Sequence, residues 1–125
     1  VEIPQFDPLI AELEKKIAEL KKIEEAQMNA FGDLLKAFQS VNETGGTLLD
    51  HTQILYGSCL GNANSHSNQN LPLILAGGAF KHGQHLAFSQ TNNYPLPNLY
   101  LSMLQNLGME AGSFATSTST MKGLI

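Results

Sequence analysis

The chain has no arginine and no tryptophan, and only 14% of its 125 residues are charged. The charges are unevenly spread, because nine of the eleven acidic residues and five of the seven lysines precede Thr44. The formal net charge is −4, and no basic patch stands outside the N-terminal third. Since nucleic-acid binding depends on clustered Lys and Arg, we expect no nucleic-acid partner.

A single cysteine, Cys59, excludes an internal disulfide framework and the zinc sites built from several cysteines. A lone cysteine after an apolar run is more often a small core residue than a reactive thiol. No apolar run approaches eighteen residues, so no membrane span is predicted. The first residues, VEIPQFDP, lack the basic and apolar regions of a signal peptide, and none is predicted in this chain.

The N-terminal third predicts one long helix. Pro4 and Pro8 favour an extended lead-in over residues 1–8, with Asp7 as the N-cap of a helix over residues 9–43. Apolar residues then recur at spacings of three and four, with a lapse in the middle. They are Ile10, Leu13, Ile17, Leu20, Phe31, Leu34, Phe38 and Val41.

Residues 10–23 are nearly the same heptad twice, IAELEKK and IAELKKI. Isoleucine at position a and leucine at position d, flanked by Glu and Lys, are typical of a parallel two-stranded coiled coil. Two heptads are fewer than such an assignment normally needs, so an amphipathic helix lying on its own domain is the alternative. We expect a homo-oligomer formed through this helix, and the regularity also suggests a designed or grafted segment.

Residues 44–125 predict a small α/β domain. Two apolar runs, Thr52–Tyr56 and Leu71–Ala76, are interpreted as buried strands, and Gly83–Phe88 as a further short strand. Asn98–Leu107 has helical spacing. The predicted fold class is therefore α/β, with a small, mainly parallel sheet packed against the long N-terminal helix and a second, C-terminal helix.

The candidate binding site is the loop over residues 57–70, GSCLGNANSHSNQN. It follows a predicted buried strand, where open α/β sheets place their ligands, and long loops are usually functional or disordered. Its neutral hydrogen-bonding side chains suit a polar ligand, and the predicted ligand-binding residues are Ser58, Asn62, Asn64, His66 and Asn68.

The same loop contains no Asp or Glu to orient a histidine or to bind a hard metal ion. We therefore predict no catalytic residue, no metal ligand and no cofactor. A weaker alternative pairs Cys59 with His66 as nucleophile and base. The structural alternative is an asparagine-rich loop whose side chains form its own turns.

The run GTLLDHTQILYGSCLGNANSHSNQNLPLILAGG, followed by GQHLAF and PLPNLYLSMLQNLG, resembles the C-terminal part of a bacterial family known as domain of unknown function 1552. The resemblance covers about residues 21–124. Members of that family are several times longer and usually exported, so it implies a fragment of an exported, periplasmic or extracellular protein.

A more distant similarity is to the alkaline phosphatase and sulfatase superfamily, in which a strand ends in a Ser-Asp-His-Gly-like motif. Here Ser58-Cys59-Leu60-Gly61 stands at that place, and His66 at that of a later histidine. Cys59 and Leu60 replace the two motif residues that bind metal in active members. The similarity implies a metal-dependent phosphate- or sulfate-ester hydrolase that is degenerate in this chain.

Two functions follow as expectations. The first is a non-catalytic binding or assembly module of an exported protein, with the polar loop 57–70 as its binding element. The second is the degenerate ester hydrolase.

Overall fold

The structure is a computed structural model that describes residues 7–125. In chain order it contains α1 (Asp7–Ser40), β1 (Asn42–Glu43), β2 (Gly46–Thr47), β3 (Gln53–Gly57), β4 (Leu73–Gly77) and α2 (Pro97–Asn106). The chain divides into two compact units, Val1–Ala37 and Phe38–Ile125. The predicted lead-in lies outside the described residues, except for Asp7 and Pro8, which belong to α1.

Helix α1 is 34 residues long, or about 50 Å at 1.5 Å per residue. Ala, Leu, Glu and Lys, which are strong helix formers, make up most of its first half. Lys16 and Glu12 form an i,i+4 ion pair with an N–O distance of 2.8 Å. Because both side chains are more than half exposed, this pair contributes only a few tenths of a kcal/mol, about 0.3–0.5.

A tight hairpin ends α1. Strands β1 and β2 pair antiparallel around Thr44 and Gly45, whose φ of +91° is a conformation that favours glycine. The chain then returns beneath the helix end, where the amide of Leu49 donates to the carbonyl of Phe38 at 3.2 Å. Carbonyls of a last helical turn have no partner within the helix, so this bond satisfies one of them.

The turn after β2 is held by Thr47 and Asp50. The Asp50 carboxylate accepts from both the amide and the hydroxyl of Thr47, each at 2.7 Å. These two hydrogen bonds stabilise the charged carboxylate and lower the pKa of Asp50 below its ordinary value of 3.8. Desolvation raises the pKa of Asp50 and opposes this effect, and the neighbouring His51 adds a smaller lowering.

Strands β3 and β4 form the central ribbon, and they are antiparallel. Their register pairs Gln53 with Gly77 and Gly57 with Leu73. The predicted mainly parallel sheet is therefore wrong: the described residues form two separate two-stranded antiparallel sheets. The two predicted helices are present.

The connection between β3 and β4 explains the error. Neighbouring parallel strands need a crossover of a dozen or more residues, usually a helix that packs back on the sheet. Residues 58–72 are long enough, but they are mostly polar, without a helical apolar stripe, and form no helix. Without an apolar crossover segment, the chain turns back and pairs β4 antiparallel with β3.

The third predicted strand is also absent, because Gly83–Phe88 has no strand partner among the described residues. This segment instead contacts the end of the chain. The side-chain amide of Gln84 donates to the carbonyls of Lys81 and Gly123, and the amide of Lys81 donates to the carbonyl of Leu124 at 2.7 Å. The final residues thus close the unit, which places Leu124 in the core.

A small apolar core lies between the ribbon, α2 and the end of the chain. Phe80, Leu99 and Leu124 are its buried centre. Partly buried apolar side chains surround them, namely Leu55, Leu75, Leu86, Leu96, Met103 and Met121. The side-chain amide of Gln53 adds a polar link from β3 to α2 by donating to the carbonyl of Met103 at 3.2 Å.

Asn98 is the most buried side chain of this unit, with no solvent exposure. Its carbonyl oxygen accepts from the amide of Thr118 at 2.9 Å, and its amide nitrogen donates to the hydroxyls of Thr118 and Ser119. One turn later, the Ser102 hydroxyl donates to the carbonyl of Asn98 and accepts from the amide of Met121 at 2.8 Å. Two polar side chains of α2 therefore hold the polar tail in place.

We expect Asn98→Ala to lower the free energy of unfolding by about 1–3 kcal/mol, because it leaves tail amides without their buried acceptor. Asn92→Ala, at an exposed asparagine, is the matched control and should change stability by less than about 0.5 kcal/mol. Urea denaturation followed by circular dichroism measures both. Equal midpoints for the two variants would contradict the assigned role of Asn98.

The depressed pKa of Asp50 predicts a pH-dependent contribution to stability. Its folded pKa is depressed, so the contribution is present above the ordinary value of 3.8 and is lost as pH falls through the folded pKa. Asp50→Asn should therefore be less stable than wild type at neutral pH, and the difference should shrink in acid. Urea midpoints across the acid range test this, with Glu110→Gln as the control for removing one exposed carboxylate.

Candidate functional site

The loop over residues 57–70 folds into a second, smaller hairpin beyond the end of the ribbon. Asn62 and Ser67 form an antiparallel bridge. The amide of Ser67 donates to the carbonyl of Asn62 at 3.0 Å, and the amide of Gly61 donates to the carbonyl of Ser67 at 2.9 Å. The polar sequence thus satisfies its backbone locally instead of packing on the sheet.

Asn62 organises the tip of this hairpin. Its side-chain oxygen accepts from the amides of Asn64 and Ser65, at 3.0 and 3.1 Å. Asparagine commonly forms such turns with the backbone two or three residues ahead. His66 completes the tip with a φ of +50°, a left-handed conformation that is uncommon for a residue with a β-carbon.

Two glycines let the chain close at the base of the loop. A β-carbon on Gly61 would overlap the carbonyl oxygen of Gln69, and one on Gly57 would overlap the Leu73 side chain and the Pro72 carbonyl. Neither glycine has a positive φ, so the requirement at both is space rather than backbone conformation. The two arms of the loop therefore approach more closely than side chains would allow.

The five predicted ligand-binding residues lie on this one hairpin, and all are exposed. The Ser58 hydroxyl already accepts from the amide of Leu60 at 3.1 Å, and the Asn62 oxygen is used in the turn. The side chains of Asn64, His66 and Asn68 make no hydrogen bond to another described residue, so their amide and imidazole groups face solvent.

The hairpin can donate and accept hydrogen bonds, but it contributes no carboxylate. Among the described residues, no three His, Cys, Asp or Glu side chains lie close enough together to hold a metal ion. Cys59 is exposed, so the expectation of a small core residue is wrong at this position. At the opposite end of the ribbon, the Nε2 of His82 lies 2.9 Å from the carbonyl oxygen of Gly77.

A second candidate surface is an apolar stripe on α1, defined here as Leu9, Ile10, Leu13, Ile17, Leu20 and Ile23. Each of these side chains is at least 51% exposed, and Ile17 reaches 66%. The heptad pattern predicts four of them, at positions a and d, whereas Leu9 and Ile23 lie beside those positions. Both occupy heptad position g, one residue before an a position. Counting heptads along the sequence is enough to find them.

Comparison of the chain with protein-family models, with curated proteins and with solved structures finds no match. Within residues 7–125, no helix is long and apolar enough to cross a membrane. Assignments of function therefore rest on the two surfaces described above.

Gly61→Ala should open the small hairpin, because its methyl group would overlap the Gln69 carbonyl. We expect hydrogen-exchange protection of the Gly61 and Ser67 amides to fall at least about tenfold, the equivalent of 1.4 kcal/mol, while the β3–β4 amides keep theirs. Gly112→Ala is the matched control, since a β-carbon there meets no atom within 4 Å. Unchanged protection in Gly61→Ala would contradict the described closure.

Proposed function

We propose that the protein is a non-catalytic assembly module that self-associates through the apolar stripe of α1. One observation carries this proposal: six large apolar side chains at heptad spacing lie on one helix and are at least 51% exposed. Contiguous apolar surface of this kind marks interaction sites, whereas single exposed apolar residues need no explanation.

The charges on the same helix support this interpretation. Lys15 pairs with Glu19 and Lys16 with Glu12, so these charges are paired along the helix, outside the a and d positions that Ile10, Leu13, Ile17 and Leu20 occupy. The long stems of such side chains commonly cover the flanks of a helix interface. Burying a leucine or isoleucine side chain contributes about 1.5–3 kcal/mol relative to full exposure, so a half-exposed stripe retains part of that free energy for association.

The small hairpin at residues 57–70 is the binding element of this proposal. It presents neutral amides and one imidazole, groups that recognise polar, uncharged ligands through hydrogen bonds. Within the hairpin, the side chains of Asn64, His66 and Asn68 make no hydrogen bond to another described residue and are free to contact a ligand. The degenerate ester hydrolase receives no support from the described residues, because the hairpin supplies His66 but no cluster of ligands.

Export remains a proposal that rests on the resemblance to domain of unknown function 1552 alone. It is compatible with a module that assembles copies of a larger protein outside the cytoplasm.

Ile17→Glu should abolish self-association, since it places a carboxylate in the centre of the stripe. We expect the dissociation constant to rise about 100-fold or more, the equivalent of 2.8 kcal/mol. Sedimentation equilibrium over a range of protein concentrations measures the change. Lys22→Glu introduces the same side chain on the opposite face and should leave the mass distribution unchanged.

Removal of Val1–Leu20 should give a monomer by the same measurement. A wild-type chain that is monomeric at every concentration tested would overturn the proposed function, as would an Ile17→Glu variant that still associates.

A further inference from the structure

We propose that the occupant of the apolar stripe is a second copy of α1 in the antiparallel orientation, with residue 15 at the twofold axis. This inference rests on the proposed self-association. This orientation differs from the parallel one, which Ile at a and Leu at d would favour if they were considered alone. The deciding residues are Leu9 and Ile23, which lie next to the a and d seam and are 51% and 54% exposed.

The heptad register places Ile10 and Ile17 at a, and Leu13 and Leu20 at d. Leu9 and Ile23 both fall at position g, on the same flank of the seam. In an antiparallel pair each a residue meets a d residue of the partner, and each g residue meets a g residue. In a parallel pair, g meets e instead. Position g is therefore where the two orientations differ.

With residue 15 on the axis, every side chain of the stripe meets an apolar partner. In the seam, Ile10 faces Leu20 of the second copy, and Leu13 faces Ile17. On the g flank, Leu9 faces Ile23 of the second copy. Each of these pairs occurs twice because of the twofold symmetry. The stripe then complements itself completely over the 15 residues from Leu9 to Ile23, about two heptads.

The charges at the ends of the stripe fit the same register. Position e of one helix meets position e of the other, which brings Asp7 opposite Lys21 of the second copy, again twice. The costs are one Glu14–Glu14 contact and one Lys16–Lys16 contact at the axis. Lys16 already pairs with Glu12 on its own helix at 2.8 Å, so the repulsion between the two lysines is reduced.

The parallel register keeps an apolar partner for Ile23, which meets Met28, but it is less favourable at Leu9 and Lys16. It brings Lys16 opposite Lys21 of the second copy, twice, and it sets Leu9 against Glu14. Continued by one more heptad, it also places Glu24 against Glu24 at an a position of the seam. Like charges at these positions select against an orientation, as e and g charges do in natural coiled coils.

Pulsed electron paramagnetic resonance with two spin-label positions separates the orientations. Cys59→Ser removes the native thiol, and Lys15→Cys or Lys22→Cys then introduces one label on the outer face of the helix. In the antiparallel dimer the two labels at position 15 have no axial offset, whereas those at position 22 are offset by about 21 Å. We therefore expect a longer distance for Lys22→Cys than for Lys15→Cys.

Disulfide exchange between two further variants gives an independent measurement. In the Cys59→Ser background, Ile10→Cys is mixed with ¹⁵N-labelled Leu20→Cys in a glutathione buffer, and mass spectrometry identifies the covalent dimers. The antiparallel dimer predicts the mixed species and loss of both homodimers. The parallel dimer predicts the two homodimers.

Equal label distances at the two positions, together with covalent homodimers, would overturn the antiparallel arrangement and leave the proposed self-association standing. A chain that shows no dipolar coupling and forms only glutathione adducts would overturn both. A longer distance at position 22 with mixed disulfides supports the inference.

Discussion

The unit that follows α1 depends on one buried amide. Asn98 lies in the first turn of α2, yet it is less exposed than any leucine of the core. Its oxygen and nitrogen reach the backbone and hydroxyls of Thr118 and Ser119, in a tail that has little apolar surface of its own. A polar segment of this kind cannot be held by the hydrophobic effect, so satisfied hydrogen bonds to a fixed side chain hold it instead. The tail in turn delivers Leu124 to the core.

The sequence predicts the helices well because their signal is local. The period of apolar residues and the Pro and Gly residues near the ends locate α1 and α2 to within two or three residues, and the apolar runs locate β3 and β4. The orientation of two strands is not encoded locally, because it depends on the segment that connects them. A parallel arrangement would need residues 58–72 to cover the sheet as a crossover, and a polar segment without helical periodicity cannot do that.

For the candidate loop, too, the sequence predicts the composition of the segment but not its contacts. Composition identified an asparagine-rich, polar segment, but the composition of a ligand site and that of a self-satisfied turn are the same. Asn62 illustrates the difference, because its side chain caps the tip of the hairpin and leaves Asn64 and His66 to face solvent. The sequence does not point to Asn98, because a single asparagine within an apolar helix gives no sign of its partners twenty residues away.

Orientation on α1 is decided by the residues that depart from the ideal heptad. Ile at a and Leu at d describe only the seam, which pairs apolar with apolar in either direction. Leu9 and Ile23 add an asymmetry, because both lie on the g flank, on either side of Lys16, whereas the e flank between them carries Glu14 and Lys21. A parallel pair would bring Leu9 against Glu14 and Lys16 against Lys21, although Ile23 would still meet the apolar Met28, whereas an antiparallel pair brings Leu9 against Ile23. The free energy of desolvating charge therefore selects the orientation, and the seam supplies the affinity.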